Sequence, residues 1–373
     1  MKPLPCVAAE TPPAAALVDA LGDALAPGGT APLDPDVPAA IWEAALAGPA
    51  AAFLGRPGKD LRGRLVRAGA ALGGARAALG GAREGAHDAA GSAHGAAPEP
   101  QARLERAIGL VIELLHAGSL IIDDVEDGSE ERRGAPALHR QIGVPLAINT
   151  GSWLYFWALA ELARLAVPGA LERAALVLLR CHQGQALDLA TRVVDLDARE
   201  VPAVVAATTR LKTGALCRLA TELGALAAGA TAERTAVIGD LGEAIGCALQ
   251  MLDDLGGLVA EARRAKAYED LRGARPTWAW AWLAEQHDPF AWARFVGLAR
   301  GVAAGADPQP LADALAERIE PLGRARARAT LDAAFAAARA ALERDPAGAD
   351  ALDALAALDA LAADVRRMES MYV

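Results

Sequence analysis

The sequence predicts an all-helical protein, and three observations predict it. From about Leu17 onward, Ala, Leu, Arg and Glu recur with apolar residues every three or four positions, the period of an amphipathic helix. Segments rich in Val, Ile and Thr with strict alternation are missing, so no sheet is expected. Pro and Gly clusters at 26–30, 55–58, 80–100, 128–136, 168–169, 273–276 and 307–310 cut the chain into separate helices.

Taken in order, residues 1–34 read as an N-terminal extension and 35–373 as one helical domain. The stretch 80–100, made of Gly, Ala, His and Ser, reads as a flexible surface loop. Helices from about 308 carry Ala, Leu, Arg and Asp in plain rhythm and are expected on the periphery. The chain has 373 residues, 37 Lys or Arg and 47 Asp or Glu, a formal net charge of -10, which disfavours nucleic-acid binding. No apolar run approaches the roughly 18 residues of a membrane span; the richest, Trp153 to Leu159, is bounded by Asn149 and Glu161. The opening Met1, Lys2, Pro3, with Glu10 and several prolines, is unlike a secretory signal, so a cytoplasmic protein is expected. Cys6, Cys181, Cys217 and Cys247 stand too far apart for a zinc site or a disulfide framework and read as small core residues.

The chemistry concentrates in two acidic interruptions of apolar helices. In the first, Ile108, Val111, Ile112, Leu115 and Ile122 mark a helix on which His116, Ser119, Asp123 and Asp127 form one stripe, with Asp124 beside it. Two carboxylates at 4 Å repel by about 4 kcal/mol at an effective dielectric near 20. A divalent cation reverses that sign, and Mg²⁺ prefers carboxylate oxygens completed by phosphate and water. Alone, such a group is equally an acidic helix end running into a solvated turn. The second interruption, Asp253 and Asp254 after Gln250, shifts the balance, because bundles build metal sites from facing helices. Cations flank both: Arg132 and Arg133 after the first, Lys212 before the second, and Lys266, Arg272 and Arg275 after it. Near the start, Lys59 and Arg62 sit three apart, a spacing at which two cations converge on one phosphate, or simply a solvated basic face. His116 reads equally as a ligand-binding or a core histidine.

These pieces, in this order over roughly Gly55 to Trp282, resemble the trans-type polyprenyl diphosphate synthases, in particular their geranylgeranyl-forming members. Asp123, Asp124 and Asp127 followed by Arg132-Arg133-Gly134 look like the family's first aspartate-rich motif, and Asp253 with Asp254 like its second. Lys59 and Arg62 match its first basic signature, Lys212-Thr213 its Lys-Thr pair, and Lys266 with Glu269-Asp270-Leu271-Arg272 its final basic segment. The resemblance implies an isoprenoid-synthase helical bundle around a deep apolar cavity, homodimeric, with about three Mg²⁺ ions on an allylic diphosphate. Asp123, Asp124, Asp127 and Asp253, with Asp254 nearby, would hold the metal, helped by Arg132, Lys212 and Lys266; Thr213 and Gln250 join the same site. Isopentenyl diphosphate would sit on Lys59, Arg62, His116 and Arg133. Catalysis would fall to Asp123, Asp124, Lys212 and Asp253. Small residues Gly118 and Ser119 above Leu115 would line the cavity and set a product of geranylgeranyl length or longer, with Trp153, Tyr155, Phe156 and Trp157 either a deeper floor or ordinary core.

Four positions depart from the pattern: Gly257 replaces the third carboxylate of the second motif, Asp60 a cation, Gly63 a proline, and Ser152 an Asp. They leave two rivals open, a class I terpene synthase that ionises and cyclises a prenyl diphosphate, and a catalytically silent partner subunit. Retention of Lys59, Arg62, His116 and Arg133 speaks against the first, and the complete first motif against the second.

Overall fold

The computed structural model describes residues 13–56, 58, 61–74, 99–344, 348–369 and 372. Lys59, Asp60, Cys6 and positions 80–98 of the expected surface loop therefore lie outside the described residues. The chain divides into two compact units, Met1–Arg64 with Arg106–Ala166 and Leu65–Glu105 with Val167–Val373, where the sequence reading expects one domain.

The first unit holds α1 (Pro13–Leu25), α2 (Ala39–Trp42), α3 (Gly48–Leu54) and the first turn of α4 (Leu61–Gly73). It continues with most of α5 (Glu99–Asp127), a ribbon of β1 (Glu131–Arg132) and β2 (Ala135–Pro136), α6 (Leu138–Ile142) and α7 (Val144–Arg164). The ribbon is the one sheet among the described residues. Leu17, Leu21 and Ala24 of α1 are buried, and α1 packs on α3, so this part of the N-terminal extension belongs to the unit's core. Crossing of α5 and α7 depends on two glycines: a Cβ at Gly118 would meet the carbonyl oxygen of Gly151 at 2.7 Å and Leu154 Cβ at 3.4 Å. Backbones that approach this closely leave no room for a side chain.

The second unit takes the rest of α4, then α8 (Ala170–Ala190), α9 (Val201–Thr209) and α10 (Ala215–Ala227), the last two joined by a π-helical turn, Arg210–Gly214. It ends with α11 (Ala232–Val259), α12 (Arg264–Arg272), α13 (Trp278–Ala284), α14 (Pro289–Ala303), α15 (Gln309–Glu343) and α16 (Gly348–Glu369). Thr231 caps α11 by accepting from Arg234 N at 3.2 Å, and Asp288 caps α14 by accepting from Phe290 N at 3.1 Å and Ala291 N at 3.0 Å. By length and composition α11 alone among the described helices could cross a membrane, yet 61% of its apolar window is buried by neighbours, the pattern of a core helix. The expectation that helices beyond 308 lie on the periphery fails for α15. Leu315 and Ile319 are fully buried, and Gly323 lets the Trp282 ring lie against the helix, so α15 closes the core over α11 and α13. Its Ala-rich composition hides this in the sequence, because Ala gives small buried and exposed faces of similar appearance.

Candidate active site

In the first unit, the end of α5 sets the geometry. The helix stops just past Asp127 in a Schellman arrangement: Gly128, with φ +64, donates to Val125 O at 3.3 Å and Ser129 donates to Asp124 O at 3.0 Å. The chain then enters the β1–β2 hairpin, whose two turn residues, Arg133 (φ +54) and Gly134 (φ +75), have the left-handed backbone of a type I′ turn. The tight reversal brings Arg132 back over α5, where Nε donates to Asp124 Oδ1 at 2.8 Å and Nη2 pairs with the same oxygen. Arg132 also lies 3.8 Å from Asp123. Arg56 clamps the hairpin by donating to the carbonyls of Arg132 and Pro136, each at 3.0 Å.

Asp124 is fully buried, and its Oδ2 has no hydrogen-bond partner among the described residues. A buried carboxylate oxygen left without a donor is costly, and a hard cation satisfies it. Among the described residues no three acidic or ligating side chains already converge as a metal cluster.

Two turns before Asp123, His116 sits against a basic group. Desolvation, followed by the positive charges of Arg62, Arg133 and Arg132, holds its imidazole well below the usual histidine range, so it is neutral at physiological pH. Arg133 is likewise lowered, first by desolvation of its guanidinium and then, against a raising effect of Glu113, by Arg62, Arg132 and Arg56. Arg62 Nε is buried with no acceptor among the described residues. Three cations around a neutral histidine, with a buried Arg62 donor left over, form a basic group suited to a multiply charged anion. The structure thus places Arg62, His116 and Arg133 of the expected group near one another, with Arg132, assigned in the sequence reading to the metal site, beside them, and Arg56, which the sequence reading missed, next to Arg133. A lone Arg after a glycine gives no periodic signal.

In the second unit, the paired carboxylates of α11 separate in role. Asp253 is 41% exposed and pairs with Arg263. Asp254 is turned inward: Oδ1 accepts from Gln250 Nε2 at 2.8 Å and Oδ2 accepts from the backbone N–H of Trp278 at 2.9 Å, tying α11 to the start of α13. Burial pushes Asp254 up to about 7 against the pull of those two hydrogen bonds. The expectation of Asp254 as a metal ligand is therefore corrected: both oxygens are committed to the protein. Thr213, in the π-helical turn, donates to Gln250 Oε1 at 3.0 Å, so Thr213, Gln250 and Asp254 form one chain of hydrogen bonds. The missing third carboxylate also has a physical reason. A Cβ at Gly257 would lie 3.3 Å from Ala267 Cβ, because α12 packs into the place a longer side chain would need.

Lys212 lies in the same π-helical turn, a local widening that re-aims side chains. Its Nζ is 2.5 Å from Asp188 Oδ2 on α8, and Arg275 donates to the Asp188 carbonyl. The sequence reading does not single out Asp188, whose partner Lys212 lies 24 residues further along the chain. Lys266 pairs within α12 with Glu269 at 3.6 Å and Asp270 at 3.5 Å. Cys217 is buried, and burial pushes the Cys181 thiol up to about 11 and the Cys247 thiol up to about 12, in keeping with packing residues and not nucleophiles.

Of the residues expected to line a cavity, Gly118 faces the α7 backbone and so serves the helix crossing, a correction of its expected role. Leu115 is buried, and Ser119 is partly exposed with its hydroxyl donating to His116 O at 2.8 Å. Phe156 is 71% exposed and cannot be a buried floor, whereas Trp157 is buried and donates to Glu161 at 2.9 Å.

An all-helical chain with two aspartate pairs on long helices and a basic histidine cluster beside one of them has the layout of a prenyl diphosphate synthase. The chain belongs to the polyprenyl synthetase family, whose model matches residues 43–293. It is similar to a geranylgeranyl pyrophosphate synthase of Penicillium canescens, 32% identical over 211 residues that make up 56% of this chain and 54% of that protein. It is also similar to geranylgeranyl pyrophosphate synthase 2 of Zymoseptoria tritici, 37% identical over 151 residues, 40% of this chain and 44% of that one. The chain thus spans about half the length of these curated relatives. Among solved structures, the polyprenyl synthase of Caulobacter crescentus, determined with calcium and isoprenyl diphosphate, superposes with a TM-score of 0.66 at 24% identity, covering 93% of each chain. A decaprenyl diphosphate synthase of Rhodobacter capsulatus gives 0.65 at 23% identity and 96% coverage of each. At these identities the structural likeness speaks for the fold.

Proposed function

We propose that the chain is a prenyltransferase that joins isopentenyl diphosphate to an allylic prenyl diphosphate by a 1′–4 bond, giving a product of geranylgeranyl length or longer. The observation that carries this reading is the end of α5 with its hairpin. One helix bears Asp123, Asp124 and Asp127 and, two turns earlier, the basic group around His116. Ionising a prenyl diphosphate needs only the acidic stripe. A second anion-binding group beside it fits a reaction with two diphosphates.

The carboxylates of Asp123, Asp124 and Asp127 in the first unit, with the partnerless Asp124 Oδ2, fit Mg²⁺, and the part-exposed Asp253 of the second unit is a further carboxylate that would take it. When bound, about three such ions neutralise a leaving diphosphate and so favour its departure. Arg132, Lys212 and Lys266 add fixed positive charge for that group. Lys59, Arg62 and Arg133 hold the second diphosphate. His116, being neutral, donates one N–H to it without adding to the like-charge crowding. The allylic C–O bond breaks with its electron pair going to diphosphate, C4 of isopentenyl diphosphate attacks the allylic cation, and a C2 proton leaves to the released diphosphate. Incubating the full chain with Mg²⁺, isopentenyl diphosphate and farnesyl diphosphate is expected to yield a longer diphosphate. A hydrocarbon or alcohol instead would establish the cyclase, and no product at all would leave the silent subunit.

A homodimer is part of the proposal. On α7, Ile148 and Phe156 are exposed, and on α8, Leu176 and Leu179 are exposed three positions apart. Exposed apolar side chains of this kind suit a self-complementary contact. Phe156→Glu and Leu179→Glu are each expected to shift the chain from dimer to monomer in light scattering coupled to size exclusion. A monomeric wild type would remove this part of the reading.

A further inference from the structure

At the end of α11, Arg263 makes three attachments at once. Its Nη2 pairs with Asp253 Oδ1, its Nη1 donates to the carbonyl oxygen of Tyr372 at 2.9 Å, and its guanidinium lies 5.2 Å from the centroid of the Tyr372 ring. Tyr372 is itself buried, 8% exposed. Gly256, one turn past Asp253, makes the contact fit: any Cβ there would collide with both the Tyr372 carbonyl and Arg263 Nη1. The charges at this place are unusually balanced. Asp254 is committed to Gln250 and Trp278, Gly257 supplies no carboxylate, and Asp253 is therefore matched by one arginine. A planar guanidinium fixed by a carbonyl and an aromatic face is pre-organised, so it loses little freedom in holding the carboxylate.

We propose that Arg263 is an internal counter-cation for Asp253, held there by Tyr372, that sets how tightly the second acidic motif takes a divalent metal. It is a positioning residue. A metal arriving at Asp253 must displace the guanidinium, and displacement loosens Tyr372, so metal uptake and the seating of Tyr372 oppose each other by linkage. The inference rests on the reading of Asp253 as a metal ligand given above.

The test is Mn²⁺ binding to the full chain, followed by electron paramagnetic resonance of the free ion. Removing one positive charge a few ångströms from a part-exposed carboxylate is expected to tighten one Mn²⁺ site about tenfold in Arg263→Gln. Arg263→Lys keeps the charge and is expected to stay within about twofold of wild type, and Asp253→Asn added to Arg263→Gln is expected to abolish the gain. Gly256→Ala, which pushes Arg263 and Tyr372 off α11 without changing any charge, is expected to tighten the site as well, and it serves if Arg263→Gln does not fold. In wild type, Mn²⁺ is expected to speed hydrogen–deuterium exchange of the peptide containing Tyr372. Equal isotherms for wild type and the folded Arg263→Gln or Gly256→Ala protein would overturn the proposal. That result would leave the prenyltransferase reading standing, since product formation and an Asp123-dependent Mn²⁺ site decide it separately.

Discussion

Asp123→Ala is expected to lower kcat/KM by about a thousandfold or more while melting close to wild type, and Asp124→Ala to lose turnover and stability together. The difference follows from burial. The Asp123 side chain is 22% exposed and only 3.8 Å from Arg132, whereas that of Asp124 is 1% exposed and takes both Arg132 donors. Loss of a carboxylate that neutralises a diphosphate through a hard cation removes several kcal/mol from the transition state, and each ~1.4 kcal/mol is tenfold in rate. Deleting Asp124 also removes the close pair it makes with Arg132 beside a buried helix end. Breaking a fully buried pair costs about 3–5 kcal/mol; Arg132 retains 19% exposure, so roughly 2–3 kcal/mol and a melting point lower by several degrees are expected. Steady-state turnover with Mg²⁺ and thermal melts by circular dichroism check both. An Asp123→Ala protein with turnover within tenfold of wild type would remove Asp123 from the chemistry.

Ser119→Phe is expected to shift the main product from geranylgeranyl length or longer down to farnesyl length. Ser119 stands one turn before Asp123 on α5, with Leu115 a further turn away, so a phenyl ring there fills the space into which a growing chain would extend. Gly118→Ala makes the contrast. Its new methyl group would meet Gly151 O at 2.7 Å, so its effect is expected in stability and not in product length. Separation of the prenyl products by chain length distinguishes the two, and an unchanged distribution in Ser119→Phe would remove this placement of the elongating chain.

How much of this was legible in the sequence depends on the kind of signal each residue leaves. Helices with Leu, Ile and Val at three-to-four spacing, such as α5 and α11, were readable because an apolar stripe is a one-dimensional pattern. The hairpin after Asp127 was seen only as a Gly and Pro cluster, since the left-handed backbone of Arg133 has no counterpart in residue type. Placing Asp254 beside Asp253 as a ligand was reasonable from adjacency. Consecutive residues on a helix point about 100° apart, however, and here the second points at the start of α13. Asp188, Arg56 and Arg263 went unnoticed for one reason: each acts through a partner distant in sequence or displaced by a turn, which periodicity cannot reveal. The placement of α15 in the core was hidden by alanine, whose small side chain marks neither face.

The left-handed Arg133 carries a consequence for anyone engineering the chain. An L-residue in that conformation is disfavoured by about 1–2 kcal/mol, a tension that Gly or Asn at the same place would relieve. Consensus-minded thermostabilisation would select such a replacement, and the hardier protein would have surrendered a guanidinium from the group around His116. Robustness and anion capture pull in opposite directions at this single turn.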